Sequence, residues 1–124
     1  MSEKQLVVGI ADMKIGRGPS KLITYALGSC IGICFYDPMI RLGGMVHIML
    51  PNNMEGSNSN IFKYADTGIP ATLRKMEVFG GVKSRMVCKI AGGARMFEVQ
   101  GTSSIGNIGQ RNIETVKKVL AKEG

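Results

Sequence analysis

The sequence predicts a mixed, α+β fold, and three observations carry that expectation. Short runs rich in β-branched and aromatic residues, such as Ile31–Tyr36 (IGICFY), alternate with Gly-, Pro- and Asn-rich breaks. Two later segments carry apolar residues at helical spacing instead. The connections between strand-like runs are mostly short enough for hairpins.

Taken in order, residues 5–15 (QLVVGIADMKI) read as a first strand, broken by Arg17-Gly18-Pro19-Ser20. Lys21–Leu27 reads as a second strand, and Gly28-Ser29 turns the chain into a third at Ile31–Tyr36. Asp37-Pro38 stops that run, and Leu42–Leu50 (LGGMVHIML) is a fourth. Residues 51–60 (PNNMEGSNSN) carry loop chemistry. Ile69, Leu73, Met76 and Phe79 then predict a helix stopped by Gly80-Gly81. Asp66 or Thr67 is its expected N-cap, which places Pro70 in the first turn, where a missing N–H costs little. Arg85–Ala91 returns to strand, Gly92-Gly93 interrupts it, and Met96–Val99 is a candidate continuation. Residues 101–109 read as loop, and Ile113, Val116 and Leu120 mark a closing helix that ends at Gly124.

Composition narrows the chemistry. A chain of 124 residues fits one domain, and 44% hydrophobic with 20% charged residues excludes a disordered class. No apolar run approaches the roughly 18 residues of a membrane helix, and the N-terminus lacks a signal-peptide pattern. A soluble, cytoplasmic protein with no membrane insertion is therefore expected. Three cysteines without CxxC spacing and a single histidine give no disulfide framework and no metal-ligand cluster, so neither metal nor cofactor is expected. The net charge of +7 is lopsided: +1 over residues 1–62 and +6 over residues 63–124. With few aromatics and no basic run longer than two residues, that excess does not make a nucleic-acid site. A solvated surface or an acidic protein partner fits it better.

The stretch Gly28-Ser29-Cys30-Ile31-Gly32 sets a cysteine between glycines two residues to either side. Small neighbours permit a tight turn that presents one side chain together with backbone N–H groups. A nucleophile needs both, a reactive thiol and donors for the oxyanion it creates. If 31–36 and 42–50 pair as an antiparallel hairpin, residues whose numbers sum to about 78 face each other, within a residue or two. His47 then lies opposite roughly Ile31, one step from Cys30. The structural alternative stands beside this one: cysteine is a common core residue, and a lone histidine between Val46 and Ile48 is commonly a hydrogen-bonded, half-buried side chain. Cys34 and Cys88, inside apolar runs, read as core. Ser29 is the other candidate nucleophile, but Cys30 is central between the glycines.

Several blocks in a fixed order resemble the CheD family, the chemoreceptor glutamine deamidases of bacterial and archaeal chemotaxis. They are Thr24–Cys30 (TYALGSC), Asp37-Pro38, His47–Pro51 (HIMLP), Lys63–Thr67 (KYADT), Lys89–Phe97 (KIAGGARMF) and Ile108–Lys118 (IGQRNIETVKK). The resemblance implies Cys30 as nucleophile, His47 as base and Thr24 as the residue that orients the imidazole. Backbone N–H groups around Gly28–Cys30, those of Gly28 and Ser29 foremost, are then the oxyanion-hole candidates. It also implies a layered α/β sandwich of mixed, largely antiparallel sheets flanked by helices, of the kind found in cytotoxic necrotizing factor toxins. Chemoreceptor cytoplasmic helices are the implied substrate, and a CheC-type phosphatase of phosphorylated CheY the implied partner. The alternative is a non-catalytic adaptor that binds receptors or CheC. Family members continue past the closing helix into further strand and a Gly-rich, Asp-containing segment. The resemblance thus makes residues 1–124 a single CheD-like domain without that segment.

Overall fold

The computed structural model describes residues 4–53, 60–94 and 108–124. Six strands and two α-helices, with single 3-10 turns at Ile61–Lys63 and Lys83–Arg85, make up the regular structure there: β1 Lys4–Val7, β2 Met13–Arg17, β3 Ser20–Ile23, β4 Ile31–Asp37, β5 Leu42–Ile48, α1 Ala65–Val78, β6 Val87–Gly92 and α2 Ile108–Glu123. The mixed α and β composition is as expected. Four strands form an antiparallel sheet in the order β2-β5-β4-β6, and β1 pairs with β3 in a separate parallel ribbon.

Alternation along β4 and β5 separates two faces of the sheet. Ile31, Ile33 and Phe35 of β4 and Leu42, Val46 and Ile48 of β5 are buried in one core with Ile69, Leu73 and Met76 of α1 and Val116 of α2. Burying each such side chain contributes roughly 1.5–3 kcal/mol. Gly44 lets α1 approach the sheet closely, since a Cβ there would sit 2.7 Å from the Met76 sulfur. The opposite face carries Gly32 and Gly43. A Cβ on Gly32 would crowd Leu27 and Thr24, and one on Gly43 would touch Leu22. The β3 region thus covers the second face, giving helices, sheet and ribbon as successive layers.

The β4–β5 hairpin is anchored at its turn by Asp37, which is wholly buried. Its carboxylate accepts from Arg85 Nε at 3.1 Å and Nη2 at 2.8 Å, and from the N–H groups of Val82 and Met39. The Arg85 guanidinium holds its pKa below the usual carboxylate value.

Several boundaries differ from the sequence reading. Residues 5–15 are two strands in different sheets, because the chain turns at Gly9–Asp12. Ala11 adopts φ 58° there, and the Asp12 carboxylate accepts from the Gly9 and Met13 N–H groups. The second strand ends at Ile23, ahead of Ala26 at φ 54°. Helix α1 starts at Ala65 with Tyr64 as N-cap, not Asp66 or Thr67, so Pro70 lies inside the helix. Its first N–H groups are satisfied by the incoming chain: Ala65 N donates to Leu50 O and Asp66 N to Pro51 O. Residues 108 and 109 belong to the closing helix rather than to a loop. Cys88 is exposed, not core, because among the described residues β6 is the outermost strand of the sheet, with all six residues exposed; Cys34 is half-buried. The strand expected at Met96–Val99 lies outside the described residues.

Candidate active site

The hairpin brings the strand of the lone histidine alongside the strand that follows the glycine-flanked cysteine. His47 is registered against Gly32, one residue from the expected pairing, and Cys30 precedes β4 by a single position. His47 is 0% exposed, and its backbone is gripped on both sides: His47 N donates to Asp12 O and His47 O accepts from Ala11 N.

Thr24 reaches the same ring. Its Oγ1 lies 2.8 Å from His47 Nδ1 and 2.7 Å from the Val8 carbonyl oxygen. A hydroxyl has one proton, and a carbonyl can only accept, so that proton goes to Val8 O. Oγ1 then accepts from Nδ1–H, which fixes the tautomer and leaves Nε2 as a bare lone pair. Nε2 is buried and has no hydrogen-bond partner among the described residues. No hydrogen bond joins the Cys30 thiol to Nε2, and the backbone register sets His47 opposite Gly32, two residues along from Cys30. Burial pushes the Cys30 thiol above its ordinary 9.0 and holds His47 below its ordinary 6.5. Both effects favour neutral groups at rest, a thiol beside a basic imidazole rather than a preformed ion pair.

The turn that carries Cys30 is tightly specified. Ala26 and Gly28 have φ of 54° and 47°, and a left-handed non-glycine residue costs roughly 1–2 kcal/mol. Each carbonyl from Gly28 to Cys30 is held from outside: Gly28 O by Ala94 N at 2.8 Å, Ser29 O by Asn112 Nδ2 at 2.9 Å, and Cys30 O by Gly93 N at 2.9 Å. Cys30 N–H donates to Leu27 O at 2.7 Å and is consumed inside the turn. The N–H groups of Gly28 and Ser29 meet no acceptor among the described residues. In a trans peptide the C=O and N–H point opposite ways, so the grip on Gly28 O turns Ser29 N–H away from Ala94.

Sequence reasoning did not single out Asn112, Gly92 or Val8. A Cβ on Gly92, whose φ is +112°, would fall 2.1 Å from Cys30 O; only glycine lets β6 close on the turn. A Cβ on Gly109 of α2 would likewise meet Ala94 O and Gly93 O at 2.4 and 2.5 Å. The signal for Asn112 was its place on the stripe of α2 that also holds Gly109 and Val116, an amide at a core position. Among the described residues no group of His, Cys, Asp and Glu could hold a metal ion, and no helix is long and apolar enough to cross a membrane.

A glycine-flanked cysteine two residues from the strand partner of a Thr-oriented histidine has the residue types that cysteine-dependent acyl transfer uses. A family model described as CheD chemotactic sensory transduction matches residues 49–124. The chain is 52% identical over 118 residues to a probable chemoreceptor glutamine deamidase CheD of Syntrophomonas wolfei, covering 94% of this chain and 73% of the relative. It is 50% identical over 125 residues to the protein of the same name from Clostridium novyi, covering 100% and 77%. The corresponding protein of Desulforamulus reducens is 45% identical over 121 residues, covering 97% and 73%. The chain belongs to the CheD family.

Proposed function

We propose that this chain is a chemoreceptor glutamine deamidase, which hydrolyses the side-chain amide of protein glutamine to glutamate and ammonia. Cys30 is the nucleophile, His47 the base and Thr24 the residue that sets the imidazole. The observation that carries the reading is the Val8–Thr24–His47 chain of hydrogen bonds, which leaves Nε2 unprotonated on a strand registered so that His47 faces Gly32, two residues from Cys30.

The reaction follows from those groups. Cys30 Sγ attacks the carboxamide carbon as its proton passes to His47 Nε2. Charge develops on the amide oxygen, and the N–H groups of Gly28 and Ser29, which meet no acceptor among the described residues, are the donors that would meet it. The C–N bond breaks as the imidazolium returns its proton to the leaving nitrogen, releasing ammonia and leaving a thioester on Cys30. His47 next takes a proton from water, whose oxygen attacks the thioester. The S–C bond then breaks, and the thiolate recovers the proton from the imidazolium. Thr24 offers a neutral hydroxyl, which stabilises the transient imidazolium less than a carboxylate would, in keeping with a histidine that rests neutral.

The substrate class rests on the relatives' names, and the receptor's cytoplasmic helices are the part within reach of a soluble enzyme. A CheC-type phosphatase is the second expected partner. The basic second half of the chain supports docking on acidic protein surfaces. The test is incubation with a purified receptor cytoplasmic fragment, following ammonia release and glutamine-to-glutamate conversion by mass spectrometry. Site-specific conversion is expected; a folded protein that binds the fragment and converts no glutamine would leave the adaptor reading in its place.

A further inference from the structure

We infer that Asn112 is a positioning residue for this reaction, holding the nucleophile turn and the histidine strand in fixed relation. The inference rests on the proposed deamidase chemistry and extends it to a residue on the other side of the site from Thr24.

Asn112 lies on α2 and is 0% exposed. Its Nδ2 donates at 2.9 Å to Ser29 O, the carbonyl next to Cys30 N, and at 2.9 Å to Met49 O, two residues beyond His47. Carbonyl oxygens only accept, so the assignment of Nδ2 toward them is forced by chemistry. One amide group therefore bridges the two chain segments that carry the nucleophile and the base, and both of its protons are used.

The other end of the same amide shows what that bridge costs. Oδ1 is buried and has no hydrogen-bond partner among the described residues. A buried polar atom without a partner is disfavoured, and an apolar side chain would fill the position without that penalty. Among the described residues the two donors are the only hydrogen bonds the amide makes, and both go to the segments that carry Cys30 and His47.

The neighbouring contacts explain why this bond matters to chemistry. The Gly28 and Cys30 carbonyls are held by backbone N–H groups of Ala94 and Gly93, so Ser29 O is the carbonyl whose grip depends on a side chain. Releasing it frees the Ser29–Cys30 peptide to rotate, which moves the Cys30 side chain relative to Nε2. Reacting groups displaced by about 1 Å can lose about 100-fold in rate.

The test compares wild type with Asn112→Ala and Asn112→Ser, the serine keeping one donor. Two readouts are taken on folded protein: kcat and KM on a receptor cytoplasmic fragment, and the pH profile of iodoacetamide labelling at each cysteine by peptide mass spectrometry. In Asn112→Ala, kcat is expected to fall about 10- to 100-fold with KM within threefold, and in Asn112→Ser by less. The Cys30 labelling profile is expected to shift while those of Cys34 and Cys88 stay in place. A folded Asn112→Ala with kcat within threefold of wild type and an unchanged Cys30 profile would overturn the inference. Failure of both variants to fold would also overturn it, in favour of a purely structural amide. Absence of ammonia release by wild type would instead defeat the deamidase reading, and the labelling profiles would still decide the role of Asn112.

Discussion

Replacing Thr24 with Val tests the tautomer directly, because the two side chains are close in shape and differ in the hydroxyl. In the native site Oγ1 accepts from His47 Nδ1–H at 2.8 Å and donates to Val8 O at 2.7 Å. Valine leaves Nδ1–H as a buried donor without an acceptor, a penalty of about 1–3 kcal/mol. The ring escapes that penalty by moving its proton to Nε2 or by turning, and either change removes the lone pair the mechanism uses. At 1.36 kcal/mol per tenfold, the active arrangement becomes about 5- to 150-fold rarer, and kcat should fall by that factor. KM should stay within about threefold, since Oγ1 is bonded to the ring and to Val8 rather than offered to substrate. Thr24→Ser, which restores the hydroxyl, should recover most of the loss. The assay is ammonia release from a receptor fragment under saturating and limiting substrate, with circular dichroism to confirm the fold. A folded Thr24→Val enzyme with undiminished kcat would refute the assignment of the base.

Other expectations follow from the same geometry. Burial holds His47 below 6.5 and raises Cys30 above 9.0, so kcat/KM should rise with loss of a proton below pH 6.5 and change again only above pH 9; a single rise centred on the thiol range would contradict a neutral histidine base. Gly92→Ala places a Cβ 2.1 Å from Cys30 O at a φ of +112°, and should destabilise the fold by about 1–3 kcal/mol or more in denaturant titration, with activity lost ahead of stability. Asp37, with its pKa lowered by Arg85, contributes stability that is present above its ordinary 3.8 and lost as pH falls through the lower folded value. Asp37→Asn should therefore lower the melting temperature at neutral pH and flatten its fall in acid.

Much of the fold could be read from the chain because the hairpin at its centre is locally consistent. Ile31–Tyr36 and Leu42–Leu50 are apolar, β-branched and separated by a turn, and their pairing came within one residue of the observed register. The expectation that His47 lies near Cys30 came from that register together with the rarity of histidine, and the observed partner of His47 is Gly32, two residues along from Cys30. Thr24 entered through family resemblance; no local pattern links a threonine ahead of the turn to a ring on β5. What stayed hidden depends on contacts between distant segments. The break at Ala11–Asp12 is made by a side-chain carboxylate bonding its own backbone inside an apolar run that looks continuous. The start of α1 is set by carbonyls of Leu50 and Pro51, not by a capping side chain. Asn112 reads in sequence as one polar residue on a mostly apolar stripe, and only the placement of Ser29 and Met49 beside it reveals what it holds. The resting state of the site was also beyond reach, since neutral thiol and neutral imidazole are consequences of burial.

The central claim is that Cys30 attacks the glutamine carboxamide. Its most direct test is acid-quenched mass spectrometry of the enzyme during turnover of a receptor fragment, with Cys30→Ala alongside. The account predicts a transient thioester on the peptide containing Cys30, and no detectable adduct or ammonia from Cys30→Ala. Glutamine conversion by Cys30→Ala at the wild-type rate, or an adduct on Cys34, Cys88 or Ser29, would contradict it.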